Sequence, residues 1–329
     1  MSDATMVVAA GGAGSPSRLR AFLRRLRSGD EIAHLITLIF ASAIFLITFL
    51  LVYELWRNSA LSRHRFGLDF LFTRTWDPVF EHFGALPFVF GTVVTSALAL
   101  LMAIPLGVGA AIFLAELAPS RISDAVTFCI ELLAAVPSVI YGLLGIFVLV
   151  PILRTTVMPF LKATLGFLPL FQGPIYGVSL FAAGVVLAIM IIPFIISISR
   201  EVLLAVPAEQ REGALALGAT KWESTWKVVV PYARVGIMGS ILLALARALG
   251  ETMAVTMVIG NDPKIAASLF APGYSIAAVI ANEFSEATSD LYIHALIELG
   301  LVLFLLTIIL NGLARLLILA TTRKATAHA

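Results

Sequence analysis

Six apolar stretches of this chain are long enough to cross a membrane as helices. They run at about 34–56, 88–116, 125–150, 176–199, 235–260 and 291–318. A spanning helix needs about 20 mainly apolar residues, and the first stretch carries no charge from Leu35 to Tyr53. The pattern therefore predicts an all-α, polytopic membrane protein with six transmembrane helices.

Interruptions of the pattern predict two local breaks in the helices. The uncharged run 163–199 is too long for one span, and prolines and a glycine between 169 and 174 interrupt it. We therefore expect the fourth helix to begin after Pro174. In the third stretch, the Pro-Ser dipeptide at 137–138 predicts a helix irregularity. Irregular backbone at membrane depth is tolerated only where it faces protein or a cavity.

Lysine and arginine predict how the chain is oriented in the membrane. If the arginine-rich N-terminal segment lies inside, the inner segments hold about twice as many basic residues as the outer loops, in line with the positive-inside rule. The first apolar stretch is longer than the 7–15-residue core of a cleaved signal peptide, so it is expected to be a retained anchor. We expect both termini in the cytoplasm and localisation to the bacterial cytoplasmic (inner) membrane.

This orientation divides the chain into four predicted parts. Residues 1–33 form a cytoplasmic basic tail, and residues 34–87 form the first transmembrane helix and an outer loop. Residues 88–318 form the main transmembrane domain, which contains a cytoplasmic loop at 200–234. A second cytoplasmic tail covers 319–329.

Composition supports a membrane protein and excludes several other classes. Hydrophobic residues make up 60% of the chain and charged residues 13%, against about 25% charged in soluble domains. The net charge of +2 is too small to indicate nucleic-acid binding, and the single cysteine excludes a disulfide within the chain. The sequence has no phosphate-binding loop with its lysine and no His/Cys cluster with metal-ligand spacing. We therefore expect no catalytic residue, no metal and no cofactor in this chain.

Arg247 lies inside the apolar stretch 235–260, and Glu251 follows four residues later. A charge at the centre of a span costs about 2.5–3.5 kcal/mol, so such residues usually face a bundle interior or a substrate path. The planar donor fork of arginine matches an oxyanion such as phosphate, and Thr252 adds a hydroxyl. In one continuous helix, Arg247 and Glu251 share a face. Two interpretations stay open: a substrate path formed by Arg247, Glu251 and Thr252, or a structural ion pair.

The cytoplasmic loop 200–234 is predicted to contain two helices separated by a glycine bend. Good helix formers follow Pro207 as far as Leu217, and Gly218 supplies the stop. A second helix is predicted over 221–229, ending before Pro231. This arrangement suits docking into a groove on a partner, and it equally suits covering the chain's own bundle.

The same loop resembles the coupling motif of bacterial ABC importer permeases, EAA-x3-G-x9-I-x-L-P. The motif positions are occupied here by Glu212, Gly213, Ala214, Gly218 and Pro231. The spacing matches in full, and the departures are Gly213 in place of alanine and Val228 and Val230 in place of Ile and Leu. The resemblance implies that this loop is the helix that docks on a cytoplasmic ATPase subunit.

Three further stretches resemble the permease subunits of phosphate ABC importers, and the PstC type more than the PstA type. They are Gly91–Leu117, Glu131–Gly145 and RALGETMAVTMVIGN from Arg247 to Asn261. The resemblance implies the type I importer (MetI-like) permease fold and implicates Arg247 and Glu251 in phosphate passage. It also implies a PstA-type second permease, a dimer of PstB-type ATPase subunits that hold ATP and magnesium, and a PstS-type extracytoplasmic phosphate-binding protein.

The sequence thus predicts the permease subunit of an ATP-driven importer that moves phosphate by alternating access, with no ATP hydrolysis of its own. One alternative is the same kind of machine with another oxyanion, sulfate or molybdate. A second alternative is an ion-coupled secondary carrier. A membrane scaffold, the third, gives no reason for a charge such as Arg247 within a span.

Overall fold

The computed structural model describes residues 30–326, with side chains described for 33–316, and throughout that part of the chain the regular structure is helical. We label its helices α1 Asp30–Asn58, α2 Ala60–Phe66, α3 Asp69–Phe72, α4 Leu86–Leu117, α5 Ser120–Ala134, α6 Ser138–Leu165, α7 Leu180–Leu204, α8 Ala208–Ala216, α9 Lys221–Leu249, α10 Met253–Ile259, α11 Ile276–Glu283 and α12 Asp290–Thr326. The predicted tail segments 1–29 and 327–329 lie outside the described residues.

Six of the described helices are long and apolar enough to cross a membrane, which confirms the predicted all-α, multi-pass architecture. They are Ala33–Asn58, Leu86–Leu117, Ser138–Leu165, Leu180–Leu204, Lys221–Leu249 and Asp290–Leu316. The fourth begins after Pro174, as expected. The third was predicted wrongly at 125–150, because that stretch joins the end of α5 to the start of α6 across a break at 135–137.

The described residues form two compact units, which divide between residues 54 and 55. In the first unit, the described residues belong to α1. A helix that is hydrophobic all round, as α1 is, is typical of a membrane span. The second unit contains all the other helices.

Helix α7 lies at the centre of the second unit, and 67% of its most apolar 18-residue segment is buried. It packs mainly on α4 and α9. Glycines permit this close approach: a Cβ on Gly107 of α4 would lie 2.8 Å from Ile195, and one on Gly184 of α7 would lie 2.6 Å from Leu98. Small residues at helix crossings serve the same purpose in membrane proteins generally.

Four π-helical turns occur in the described spans, and each is followed by a proline two residues after its last residue. The turns are Phe113–Leu117, Gly145–Leu149, Leu153–Val157 and Thr225–Val229, and the prolines are Pro119, Pro151, Pro159 and Pro231. Proline has no N–H and its ring collides with the carbonyl four residues earlier. A widened turn gives that carbonyl room, so the helix continues through three of the four prolines.

The π turn before Pro231 lets one helix run on where the sequence predicts a stop. The prediction that a short helix 221–229 ends before Pro231 is wrong, because the π turn carries the helix on to Leu249. Helix α9 therefore joins the loop directly to the residues around Arg247. Its start is fixed by a capping box, in which the Glu223 amide donates to Thr220 Oγ1 (3.2 Å) and the Thr220 amide donates to Glu223 Oε2 (3.0 Å).

At the end of the bundle opposite α8, an aromatic cluster joins the segment 57–87 to α11 and α12. The Trp76 indole donates to Glu283 Oε2 at 2.8 Å, and the Tyr292 hydroxyl donates to the same oxygen at 2.6 Å. Phe83 stacks on Tyr292 with ring centroids 5.3 Å apart. The segment is therefore a packed cap with its own short helices, α2 and α3, rather than an irregular loop.

Candidate functional site

Arg247 lies in the last turn of α9, beside the middle of α7. Its guanidinium carbon is 5.9 Å from the ring centroid of Phe194, which stands 14 residues into the 25-residue α7. The Arg247 side chain is exposed on the surface of this single subunit. No carboxylate among the described side chains lies within 4.0 Å of it. An intramembrane cation with no acid in contact among residues 33–316 is unusual, because such charges are normally paired.

The expected sharing of a helix face by Arg247 and Glu251 is not found. Helix α9 ends at Leu249, Gly250 closes it, and the next helix begins only at Met253, so the stretch 235–260 is not one span. The carboxylate of Glu251 accepts a hydrogen bond from the Ala254 amide at 3.2 Å. It thereby satisfies one of the free N–H groups at the start of α10. Glu251 stabilises the broken helix and forms no ion pair with Arg247.

Thr252 stands at the break between α9 and α10. Its hydroxyl donates to the Gly250 carbonyl at 3.4 Å, and the Thr256 hydroxyl donates to the Thr252 carbonyl at 2.8 Å. A hydroxyl that donates weakly to its own backbone can turn to another acceptor. Thr252 is partly buried and follows Arg247 by five residues along the chain.

A second break, between α5 and α6, lies against the first. The hydroxyl of Tyr141 in α6 donates to the Leu133 carbonyl in α5 at 2.8 Å, which holds the two helices together across residues 135–137. A Cβ on Gly142 would lie 3.1 Å from the Ala254 Cα, so only glycine lets α6 approach α10 this closely. The first turn of α6, which Pro137 precedes, thus lies near the α9–α10 break, and Arg247 interacts electrostatically with Tyr141.

The loop 200–234 folds as predicted up to its glycine, Gly218. Helix α8 begins after Pro207 and ends in a Schellman motif, in which the Ala219 amide donates to the Ala214 carbonyl (3.1 Å) and the Gly218 amide to the Leu215 carbonyl (2.9 Å). Gly218 adopts φ +87°, a conformation that favours glycine. A Cβ there would meet open space, so backbone conformation alone selects glycine at this position.

The remaining motif residues divide into one buried anchor and an exposed surface. Ala214 is buried, whereas Glu212 and Gly213 are exposed and Leu217 is 91% exposed. A groove of about 370 Å³ runs between α8 and the start of α9, lined by Ala214, Leu217, Gly218, Ala219, Glu223, Ser224, Lys227 and Val228. Pro231 lies beyond this groove, in the continuous α9. Trp222 and Trp226, at 56% and 46% exposed, lie in the first turns of α9 near this groove, and neighbouring exposed apolar side chains of this kind can mark an interaction site.

Sequence reasoning missed the residue that fixes α8 to the bundle, Arg211. Its Nη2 lies 2.8 Å from Glu116 Oε1 at the end of α4, and Nε lies 3.2 Å from the same oxygen. Nη2 also donates to the Leu203 carbonyl at 2.7 Å, and Nη1 to the Val206 carbonyl at 2.5 Å. One guanidinium therefore joins α8 to α4 and to the end of α7. The sequence signal is an apolar-helix terminus that ends in an acid, Glu116, which requires a cationic partner.

The sequence pattern of one protein family matches residues 103–323. That family is described as "Binding-protein-dependent transport system inner membrane component". The chain belongs to this family. The matched residues run from within α4 into α12, so they include both helix breaks, Arg247 and the α8 groove.

Curated relatives of this family member extend the match to nearly the whole chain. A protein of Mesorhizobium japonicum named "Phosphate transport system permease protein PstC" is 48% identical over 305 residues, which is 91% of this chain and 93% of the relative. A Pasteurella multocida protein of the same name is 49% identical over 292 residues, 88% of this chain and 91% of the relative.

Among solved structures, a bacterial ABC transporter involved in the import of the acidic polysaccharide alginate has the same fold. One of its chains superimposes with a TM-score of 0.52 at 15% identity, covering 89% of this chain and 98% of that chain. At this identity the likeness concerns the fold alone. It agrees with the predicted type I importer permease architecture.

Proposed function

We propose that this chain is the membrane permease subunit of an ATP-driven ABC importer for inorganic phosphate. Relatives named phosphate transport permeases, about half identical over most of the chain, support the substrate. The observation that carries the assignment to particular residues is the state of Arg247. It is an exposed guanidinium at the level of the middle of α7, with no acidic partner among the described residues. A phosphate ion would supply the missing negative charge.

The proposed phosphate path runs past the two adjacent helix breaks. Interrupted helices near the membrane midplane are a recurring way to build anion sites, because the free N–H groups at a helix start attract negative charge. Here the first turn of α6 and the guanidinium of Arg247 border the same region, and Thr252 adds a hydroxyl. Glu251 contributes by keeping the start of α10 in place.

The subunit is proposed to act with partners that supply energy and substrate. The groove beside α8 and the exposed Leu217 form the surface on which one of two PstB-type ATPase subunits would dock. A PstA-type permease would complete the path, and a PstS-type binding protein would deliver phosphate from outside. ATP and magnesium would be held by the ATPase subunits. In this orientation, α8 and both termini lie in the cytoplasm.

Movement of α8 would reach the path through rigid connections. Arg211 joins α8 to α4 and α7, and α9 runs without interruption from the α8 groove to Arg247. When the ATPase subunits close, a displacement of α8 would therefore rotate these helices together. Such rocking of packed helices around a fixed site is the physical basis of alternating access.

Phosphate uptake into liposomes that contain the complete complex tests this function. Arg247→Ala is expected to reduce ATP-dependent phosphate uptake at least about tenfold, because one charge-assisted hydrogen bond contributes about 1.5–3 kcal/mol. Arg121→Ala, which removes an exposed arginine at the start of α5, is the matched control and should keep uptake. Unchanged phosphate uptake by Arg247→Ala would exclude the proposed path.

The same liposomes separate the alternatives. Uptake of sulfate or molybdate in preference to phosphate would mean that the complex is an ABC importer for that oxyanion. Uptake that continues when ATP cannot be hydrolysed would indicate an ion-coupled carrier instead.

A further inference from the structure

A cavity of about 290 Å³ lies far from the α8 groove, between α2, the segment that follows it, and α12. Its lining consists of Trp56, Arg63, Gly67, Leu68, Leu71, Glu298, Leu301, Val302 and Leu305. Sites for small ligands begin at about 300 Å³, so the cavity has the size of a small ligand group. It contains one cationic and one acidic side chain within otherwise apolar walls, and the proposed transport path uses neither.

Glu298 is the unusual residue of this cavity. It lies eight residues into α12, or about 12 Å along the span from Asp290. Only 5% of the residue is exposed, and its Oε2 atom has no hydrogen-bond partner. The buried Ser62 hydroxyl lies beside the carboxylate but is also without a partner of hydrogen-bond geometry. A buried, unsatisfied carboxylate inside a membrane span is costly unless it takes up a proton or a cation neutralises it.

Arg63 does not neutralise Glu298 by direct contact. Its guanidinium lies over the Trp56 ring, 3.6 Å from the centroid, with Nε donating to Ser59 Oγ (3.0 Å) and Nη2 donating to the Trp56 carbonyl (2.6 Å). No ion pair within 4.0 Å joins it to Glu298. Two hydrogen bonds occupy two of the five N–H donors of a guanidinium. The cavity therefore presents a guanidinium held by the end of α1 and, beyond direct contact with it but within its electrostatic influence, a carboxylate whose Oε2 has no hydrogen-bond partner.

Beyond the two charged residues, Arg63 and Glu298, the walls of the cavity are apolar and continue along α12. Leu301 and Leu305 are four residues apart and so form one row on the helix. Leu305 is half-exposed, and Leu68 across the cavity is 77% exposed. An acyl chain that enters beside Leu305 would cover these leucines.

We propose that this cavity binds a phospholipid with a primary ammonium headgroup, of the phosphatidylethanolamine class. The lipid ammonium donates to the Glu298 carboxylate, the lipid phosphate accepts from Arg63, and an acyl chain follows Leu301 and Leu305. This occupant supplies the cation that Glu298 lacks, an anion for Arg63 and an apolar cover in one molecule. A phospholipid without the ammonium, such as phosphatidylglycerol, satisfies Arg63 alone. Phosphatidylcholine carries a cation but no N–H donor.

Native mass spectrometry of the purified complex, with each of these three lipids added in turn, tests the proposal. We expect phosphatidylethanolamine to be retained about tenfold more than phosphatidylglycerol or phosphatidylcholine, the ratio given by one hydrogen bond to a charged group. The same lipid should raise the midpoint of thermal unfolding, because a ligand that binds the folded state stabilises it. Equal retention of phosphatidylcholine and phosphatidylethanolamine would overturn the assignment of the ammonium to Glu298.

Substitutions assign the preference to the cavity. Glu298→Gln keeps the side-chain shape and should reduce the preference for phosphatidylethanolamine about tenfold, to the level of phosphatidylglycerol. Arg63→Gln should weaken retention of both lipids. Glu286→Gln and Arg74→Gln remove exposed charges outside the cavity and should change neither. If Glu298→Gln keeps the full preference for phosphatidylethanolamine, the carboxylate does not bind the lipid ammonium and the proposed site is disproved.

A variant that keeps both charged residues distinguishes loss of lipid binding from loss of the native fold. Leu68→Trp places a larger side chain at the cavity rim, where Leu68 is exposed, and should reduce retention of phosphatidylethanolamine while the complex elutes normally in size-exclusion chromatography. Normal retention by this variant, with the complex intact, would show that the lipid binds elsewhere.

Discussion

Arg211 in α8 and Arg247 at the end of α9 have opposite surroundings. Arg211, at the α8 end, makes contacts with the Glu116 carboxylate and with two backbone carbonyls. Arg247, where α9 breaks, has one aromatic ring near it and no acid within 4.0 Å among the described residues. From the sequence, Arg247 belongs either to a substrate path or to an ion pair with Glu251, and Arg211 has no distinction. The structure contains no Arg247–Glu251 ion pair, whereas Arg211 pairs with Glu116.

The difference separates a structural cation from a functional one. The Arg211 guanidinium directs four of its five N–H donors to Glu116 and to two backbone carbonyls, so its arrangement is that of a structural cation. A guanidinium that its own subunit leaves without an acid is available for a ligand or for a second subunit. This contrast is the reason for proposing that the phosphate path passes Arg247 and not Arg211.

The largest stability effect is expected at Arg211. Arg211→Met leaves the Glu116 carboxylate, only 10% exposed as a side chain, without its cation. Removal of one partner from such a pair costs about 3 kcal/mol. Thermal unfolding of the detergent-purified complex should show a clear fall in midpoint, whereas Arg121→Met at an exposed arginine should not. A midpoint equal to that of the wild type would mean that Arg211 is not a structural cation.

Removal of both charges should recover most of that loss. In Glu116→Met/Arg211→Met, no buried charge is left unpaired, and two apolar side chains can pack in the space of the ion pair. We expect the double variant to regain about 2 of the 3 kcal/mol, measured by the same unfolding experiment. If coupling depends on the connection itself, the recovered protein will still transport phosphate poorly for each ATP hydrolysed. Full transport would reduce Arg211 to a purely stabilising role.

These contrasts also explain what the sequence predicts and what it does not. Hydrophobic runs and turn residues are local signals, so the number of spans and the helix stop at Gly218 follow from composition and glycine chemistry, whereas the bounds of the third and fifth spans do not. The pair of Arg211 with Glu116 spans 95 positions, and no local pattern contains it. The break after Leu249 is not predicted because apolar residues continue on both sides of it. The continuous helix through Pro231 is not predicted because a π turn makes room for the carbonyl with which the proline ring would otherwise collide.

Two glycines of α8 provide a smaller, matched contrast at the Arg211 end. Gly218→Ala forces an ordinary side chain into φ +87° and should destabilise the α8 terminus by about 1 kcal/mol. Gly213→Ala, in the helix interior with open space around its Cβ, should stabilise by up to about 1 kcal/mol. Hydrogen exchange of the α8 amides measures both changes. Equal effects of the two substitutions would remove the conformational reason for Gly218.

The smallest stability effect is expected at Arg247, where the transport effect is largest. Arg247→Met removes a cation that no described acid needs, so no charge is left unpaired and the cost of holding one inside the span disappears. Unfolding of the purified complex should therefore change by less than about 0.5 kcal/mol, or the complex should become slightly more stable. Arg211→Met serves as the reference for a cation whose loss does matter. A fall as large as that of Arg211→Met would show that Arg247 pairs with an acid of another subunit, and the phosphate path would then need a different cation.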